Sequence, residues 1–249
     1  MQANEDAPWE LFYWAPVNKE TGKIGMMGRG EFVRIMFEVA GVPFIDSFTL
    51  PDGGPQTLNM MWRKGGHSDM PCFAPPIIRK GDFVLNQTPA IMKYLGKEFG
   101  FYPTNKADEA HADALIGFIT DVIAEGRLVF HARCFTESYY TQKEETAGHI
   151  KWYEETRLPS FLGYLETVLA HNAKKHSKGF AIGETMTYVD LSLWHTLEAA
   201  ASQFPESYPK IVEDKPLLRA FREQIAAIPR LASYLQSDRR GHFEGNSMM

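Results

Sequence analysis

Cysteine is scarce in this chain, which has only Cys72 and Cys134 among its 249 residues. Two thiols cannot build a disulfide framework, nor a zinc site by themselves, and their scarcity suits a reducing compartment. No apolar run approaches the roughly 20 residues that a bilayer-spanning helix needs, so no membrane partner is expected. There is no basic excess either. Lys and Arg number 26 against 31 Asp and Glu, a net charge of -5 that argues against nucleic acid as the main partner. Internal repeats and low-complexity tracts are absent. The opening "MQANEDAPWE" lacks the basic and apolar regions of a signal peptide, so the expectation is a cytoplasmic protein. What is present, 44% hydrophobic and 23% charged residues, is an ordinary folded composition, long enough for one large domain or two modest ones.

Secondary-structure patterns change character midway. "ELFYW", residues 10–14, reads as a short strand because β-formers are dense there. After a loop over 15–28, "GEFVRIMFEVA" places Phe32, Ile35, Met36 and Val39 at helical spacing, with Gly41 as the C-cap. "VPFIDSFTL" reads as a second strand. "PIIRKGDFVL" has the form of a hairpin around a basic, glycine-containing turn, and a helix follows. This β-α-β-β-β-α order within about 90 residues predicts a small α/β sheet. From 106 to about 236 the patterns are helical, with Leu158, Leu162, Leu165 and Leu169 on one face. The expected division is a first domain over 9–97, an all-helical one over 105–236, and a flexible tail over 237–249.

Three stretches carry chemistry or imitate it. In "APPIIRKGDFVLNQTPAI", Pro-Pro before a strand is a candidate fixed turn, and Gln87-Thr88 stand where helix N–H groups and the dipole favour an anion. A ligand with a peptide-like middle and a carboxylate end suits both features. A rigid loop followed by an ordinary threonine cap is the alternative. In "GETMTYVDLSLW", Thr187 and Asp190 have capping-box spacing ahead of an apolar run, and the reading is structural. In "LFYW", Tyr13 ends a strand and points towards a loop. A phenol there favours ionisation of a nearby thiol, or it is simply core packing.

In this order and spacing, these features resemble the cytosolic glutathione transferase family, in its tyrosine-type, sigma-like branch, over roughly residues 10–235. The likeness rests on "LFYW", "GRGEFVR", "APPIIRKGD" and "NQTPAI". It implies an α/β thioredoxin-like N-terminal domain and an all-α C-terminal domain. Residue by residue, Tyr13 matches the tyrosine that hydrogen-bonds the glutathione sulfur, and Arg29 the arginine that supports the thiolate. Pro76 matches the cis-proline, preceded here by Pro75. Gln87 and Thr88 match the pair holding the γ-glutamyl carboxylate. Trp62 and Lys64 match residues at the glycyl end, Lys64 standing closer to Trp62 than in the family pattern. Asp121 matches an acid that reaches the partner subunit's γ-glutamyl amine in a homodimer. The resemblance implies glutathione as co-substrate, no metal or other cofactor, and a hydrophobic electrophile as acceptor, with Phe130, His131, Phe135, Tyr139 and Tyr140 as pocket candidates or plain helix core.

Departures keep other readings open. The loop between Tyr13 and Arg29 is longer than the sigma-like pattern has. Pro75 has no N–H, so one backbone hydrogen bond to the cysteinyl part of glutathione, on the order of 1 kcal/mol, is expected to be missing, or Ala74-Pro75 is the cis bond instead. Cys72 invites thiol chemistry, although cysteine-type relatives carry theirs at the first helix. A glutathione-dependent isomerase and a non-catalytic, lens-type glutathione-binding protein are the alternatives to conjugation.

Overall fold

The computed structural model describes residues 6–14, 27–47 and 71–243. The chain divides into two compact units, Met1–Gly100 with Ile228–His242, and Phe101–Ala227 with Phe243–Met249. The sequence reading assigns Ile228–His242 to the helical domain and its tail; their contacts instead lie with the first unit.

The first unit is built on a four-stranded sheet in the order β2-β1-β3-β4. Strand β1 (Trp9–Phe12) pairs in parallel with β2 (Phe44–Asp46) and antiparallel with β3 (Ile77–Lys80), which forms a hairpin with β4 (Phe83–Asn86). Gly81, at φ 59, closes the hairpin in a conformation that a side chain rarely adopts. Helix α1 (Gly30–Ala40) buries Phe32, Ile35, Met36 and Phe37. Gly41 ends it at φ 68, donating its N–H to the Glu38 carbonyl. Helix α2 (Thr88–Phe99) packs beside α1 through Ile91, Met92 and Leu95. Trp9, Phe37 and Phe99 meet between them, with ring centroids 5.7–6.0 Å apart.

Strand β1 stops at Phe12, so Tyr13 is the first residue past the ladder. The register explains this. Phe12 faces Ile77, and the next residue would face Pro76, which has no N–H to contribute. The Tyr13 N–H donates instead to Ser47 Oγ at 3.2 Å.

The second unit is helical: α3 (Lys106–Leu128), α4 (Lys143–Trp152), α5 (Leu158–Ala173), α6 (Tyr188–Gln203), α7 (Tyr208–Ile211) and α8 (Pro216–Ala226). Leu158, Leu162, Leu165 and Leu169 are all buried, as their spacing predicts. Helix α6 is buried nearly all round and packs against α3 and α8. Its N-terminus carries the expected capping box. Asp190 accepts from Thr187 N–H at 2.7 Å and the Thr187 hydroxyl at 2.9 Å, and also from Ala181 N–H at 2.7 Å.

One helical expectation fails. In "RLVFHARCFTESYY" the helix ends at Leu128, and the chain runs irregularly to a short 3-10 turn at Tyr139–Thr141. The buried Gln142 side chain accepts from the N–H groups of Arg133 and Cys134 and donates to the Cys134 carbonyl. Those bonds satisfy backbone that would otherwise have to stay helical.

The last helix, α9 (Pro229–Leu235), belongs to the first unit. It packs on α1 through buried Leu231 and Tyr234.

Candidate active site

The sheet register carries three of the residues singled out from the sequence to one end of the first unit. Phe12 faces Ile77 and Ile77 faces Asn86, so the next positions along the three strands are Tyr13, Pro76 and Gln87. With strands ~4.8 Å apart, this edge is about 10 Å across, the extended length of about three residues.

Tyr13 is 6% exposed, and its hydroxyl oxygen accepts the Arg29 backbone N–H at 2.8 Å. Arg29 is the N-cap of α1, so the phenol oxygen lies at the positive end of a helix dipole, which favours negative charge on it or beside it. The glycines around Arg29 make room for the ring. A Cβ on Gly28 would lie 2.3 Å from the Tyr13 hydroxyl, and one on Gly30 2.6 Å from Tyr13 Cγ. The hydrogen bond from Arg29 to Tyr13 runs through the Arg29 backbone N–H.

The cis peptide bond lies between Pro75 and Pro76. Gln87 is exposed and holds φ 71, ψ 112, a conformation that costs a non-glycine residue on the order of 1–3 kcal/mol. It is the N-cap of α2, yet its side chain makes no cap hydrogen bond among the described residues. Thr88 is the first helical residue rather than the cap. Its buried Oγ1 has no hydrogen-bond partner among the described residues. The ordinary threonine cap offered as the alternative is therefore not formed, and among the described residues a polar hydroxyl stands without a partner at a helix N-terminus. Such a place suits an anion.

The other expected residues are dispersed. Trp62 and Lys64 lie outside the described residues. Asp121 is exposed on α3 of the second unit. Phe130 is core, packed on Tyr139 and Phe204, whereas Phe135 and Tyr140 are about half exposed. Cys72 packs beside Phe12, Ile77 and Val84, and burial pushes its thiol up, away from an activated nucleophile. Among the described residues no group of three or more His, Cys, Asp and Glu side chains is arranged to hold a metal ion.

A buried charge cluster that the sequence reading does not single out lies near Tyr13. Glu31 is fully buried and accepts from the Tyr234 hydroxyl at 3.0 Å. Arg34 pairs with Glu31 at 3.5 Å and with Asp46 at 2.5 Å, and its guanidinium lies 6.0 Å from the Tyr13 ring centre. The i, i+3 spacing of Glu31 and Arg34 in "GRGEFVR" was the available signal, but surface helices use that spacing too.

Residues 130–238 match the glutathione S-transferase C-terminal domain family. Glutathione S-transferase P 1 of Xenopus laevis is 30% identical over 166 residues, which cover 66% of this chain and 69% of that protein. S-crystallin 4 of Enteroctopus dofleini is 26% identical over 219 residues, or 87% of this chain and 94% of that protein. Among solved structures, that of the monomeric Na-GST-3, a glutathione S-transferase from the hookworm Necator americanus, has a TM-score of 0.67 at 22% identity. The match covers 95% of this chain and all of that one, and is a likeness of fold. These matches agree with a thioredoxin-like sheet unit followed by a helical unit. The chain belongs to the glutathione S-transferase family.

Proposed function

We propose that this chain is a tyrosine-type, sigma-like member that binds glutathione along the Tyr13–Pro76–Gln87 edge and conjugates it to hydrophobic electrophiles. The observation that carries the reading is the Tyr13 phenol oxygen seated on the Arg29 N–H at the start of α1. With its oxygen already accepting that bond, the phenol is a better donor towards a thiolate, and each pH unit by which the thiol is lowered corresponds to about 1.4 kcal/mol. At the other end of the edge, Thr88 Oγ1 and the α2 N-terminus supply donors for the γ-glutamyl carboxylate. Binding fixes the tripeptide so that the sulfur lone pair forms a bond to an electrophilic carbon while the leaving group departs with its electron pair. No metal or cofactor takes part in this scheme. The proposal includes a homodimer in the cytosol, with Asp121 serving the partner's γ-glutamyl amine; the monomeric hookworm protein shows that pairing does not follow from the fold alone.

The S-crystallin relative favours a second reading, a protein that keeps the glutathione site without turnover. Titration of the protein with glutathione, following thiolate absorbance against pH, tests the first. Saturable binding with a thiol midpoint well below that of free glutathione supports activation. Binding without a shift favours the second reading, and no binding overturns both. Consumption of thiol by an added electrophile then separates conjugation from isomerisation, which returns glutathione unchanged.

A further inference from the structure

The turn that presents the Arg29 N–H to Tyr13 is held from two directions. From within, Glu31 N–H donates to the Gly28 carbonyl at 3.2 Å, and Arg34 donates to the Met27 carbonyl at 3.4 Å while anchored on Asp46. From the far end of the chain, Tyr234 on α9 donates to Glu31 Oε2 at 3.0 Å. Arg240 Nε stands 3.7 Å from Glu31 Oε1, and the His242 carbonyl accepts the Met27 N–H at 3.3 Å. Three contacts from Tyr234, Arg240 and His242 thus converge on residues 27–31.

We propose that the segment from Tyr234 to His242 is a clasp that positions Tyr13: it grips Glu31 and Met27, and through them sets the turn whose Arg29 N–H holds the phenol oxygen.

The chemistry favours a positioning role over mere adhesion of a chain end. A fully buried carboxylate is a costly anchor for a terminal segment, since apolar packing of Leu231 and Tyr234 on α1 would serve adhesion alone. Burial raises Glu31 to about 7, opposed by Arg34, Arg240 and the Tyr234 hydroxyl. The groups facing it are Arg34 from α1, Tyr234 from α9 and Arg240 from the following segment, with Asp46 on β2 reaching it through Arg34. Glu31 is therefore the point where α1, β2, α9 and the terminal segment share one set of charges, one residue beyond Gly30 under the Tyr13 ring. Tyr234, Glu31 and Arg240 are positioning residues, and the catalytic meaning of the clasp rests on the reading of Tyr13 given above.

The test compares Tyr234→Phe with the wild-type protein by amide hydrogen exchange without ligand, and by the pH midpoint of bound glutathione thiolate. The expected result is Arg29 amide exchange faster by about tenfold, with Leu11 and Ile35 unchanged, and an upward move of the thiolate midpoint. Arg240→Met, which keeps the Tyr234 bond and the helix packing, is expected to act in the same direction. Arg219→Met is the control, because Arg219 is exposed on α8 of the second unit. Exchange that rises uniformly, or not at all, overturns the clasp, as does an unmoved thiolate midpoint in a protein that binds glutathione. If the wild-type protein binds no glutathione, the reaction reading falls, and the exchange pattern at Arg29 still decides whether the clasp positions the turn.

Discussion

The backbone N–H of Arg29 and the phenol oxygen of Tyr13 lie 2.8 Å apart, in a contact that any residue but proline at position 29 can make. The sequence expectation gives Arg29 support of the thiolate without naming the group, and substitution separates backbone from guanidinium. Tyr13→Phe is expected to raise the bound-thiolate midpoint by about one pH unit, the loss of one hydrogen bond to a charged group. Arg29→Ala keeps the N–H and is expected to raise it much less. A shift in Arg29→Ala as large as that in Tyr13→Phe assigns activation to the guanidinium.

Gly30→Ala tests the seat of the tyrosine ring. The added methyl would lie 2.6 Å from Tyr13 Cγ, in a helix start where alanine is otherwise welcome. Displacement of the ring is expected to cost about 1–3 kcal/mol of stability and at least about tenfold in kcat/KM. Alanine tolerated with full activity means that Tyr13 has another workable position.

At the start of α2, function and stability are expected to move in opposite directions. Thr88→Val removes a buried hydroxyl with no partner among the described residues, so the thermal midpoint is expected to hold or rise. Glutathione affinity is expected to fall about five- to tenfold with the lost hydrogen bond. Gln87→Gly relieves φ 71 and is likewise expected to stabilise while weakening binding. Unchanged affinity in both variants removes the carboxylate from this helix end.

Glu31 makes stability depend on pH with a definite sign. Its carboxyl is raised from 4.5 to about 7 by burial. Between those values the folded chain holds a proton that the unfolded chain has released. Stability from this group is full below 4.5 and declines as pH rises through 7, by ~3 kcal/mol in all. Glu31→Gln is expected to flatten that slope in urea unfolding between pH 5 and 8. Asp190, raised from 3.8 to about 6 by burial, contributes a residual slope of the same sign. Equal slopes in variant and wild type mean that Glu31 is not the group responsible.

Asp121→Ala bears on the assembly. Asp121 is exposed on α3, so its loss is expected to leave the thermal midpoint unchanged. In a homodimer with shared sites it weakens glutathione binding, and unchanged affinity removes that role.

Local patterns are legible in the sequence where one element contains the whole cause. The 3.6 spacing of α1, its Gly41 C-cap, the Gly81 hairpin and the Thr187–Asp190 box each depend on residues close together in the chain. Tyr13, the Pro75-Pro76 pair, Gln87 and Thr88 stand out the same way, at a strand end, a turn and a helix start, whereas the choice of Pro76 within the pair rests on the family resemblance. The stretch after Leu128 departs from the helical expectation because its apolar residues suit a helix, while the bonds that hold it irregular come from Gln142.

By itself, then, the sequence determined the order of the elements and the residue types standing at their ends, because propensity, alternation and capping act over a few positions. Only the tertiary structure decided how those ends act. It turned Arg29 into a backbone donor and left the Thr88 hydroxyl without a partner among the described residues, next to a strained Gln87. It also joined Tyr234 to Glu31 across 203 positions. A hydrogen bond between residues so far apart leaves no periodic trace in either segment, and a buried carboxylate has a place only once the packing around it exists.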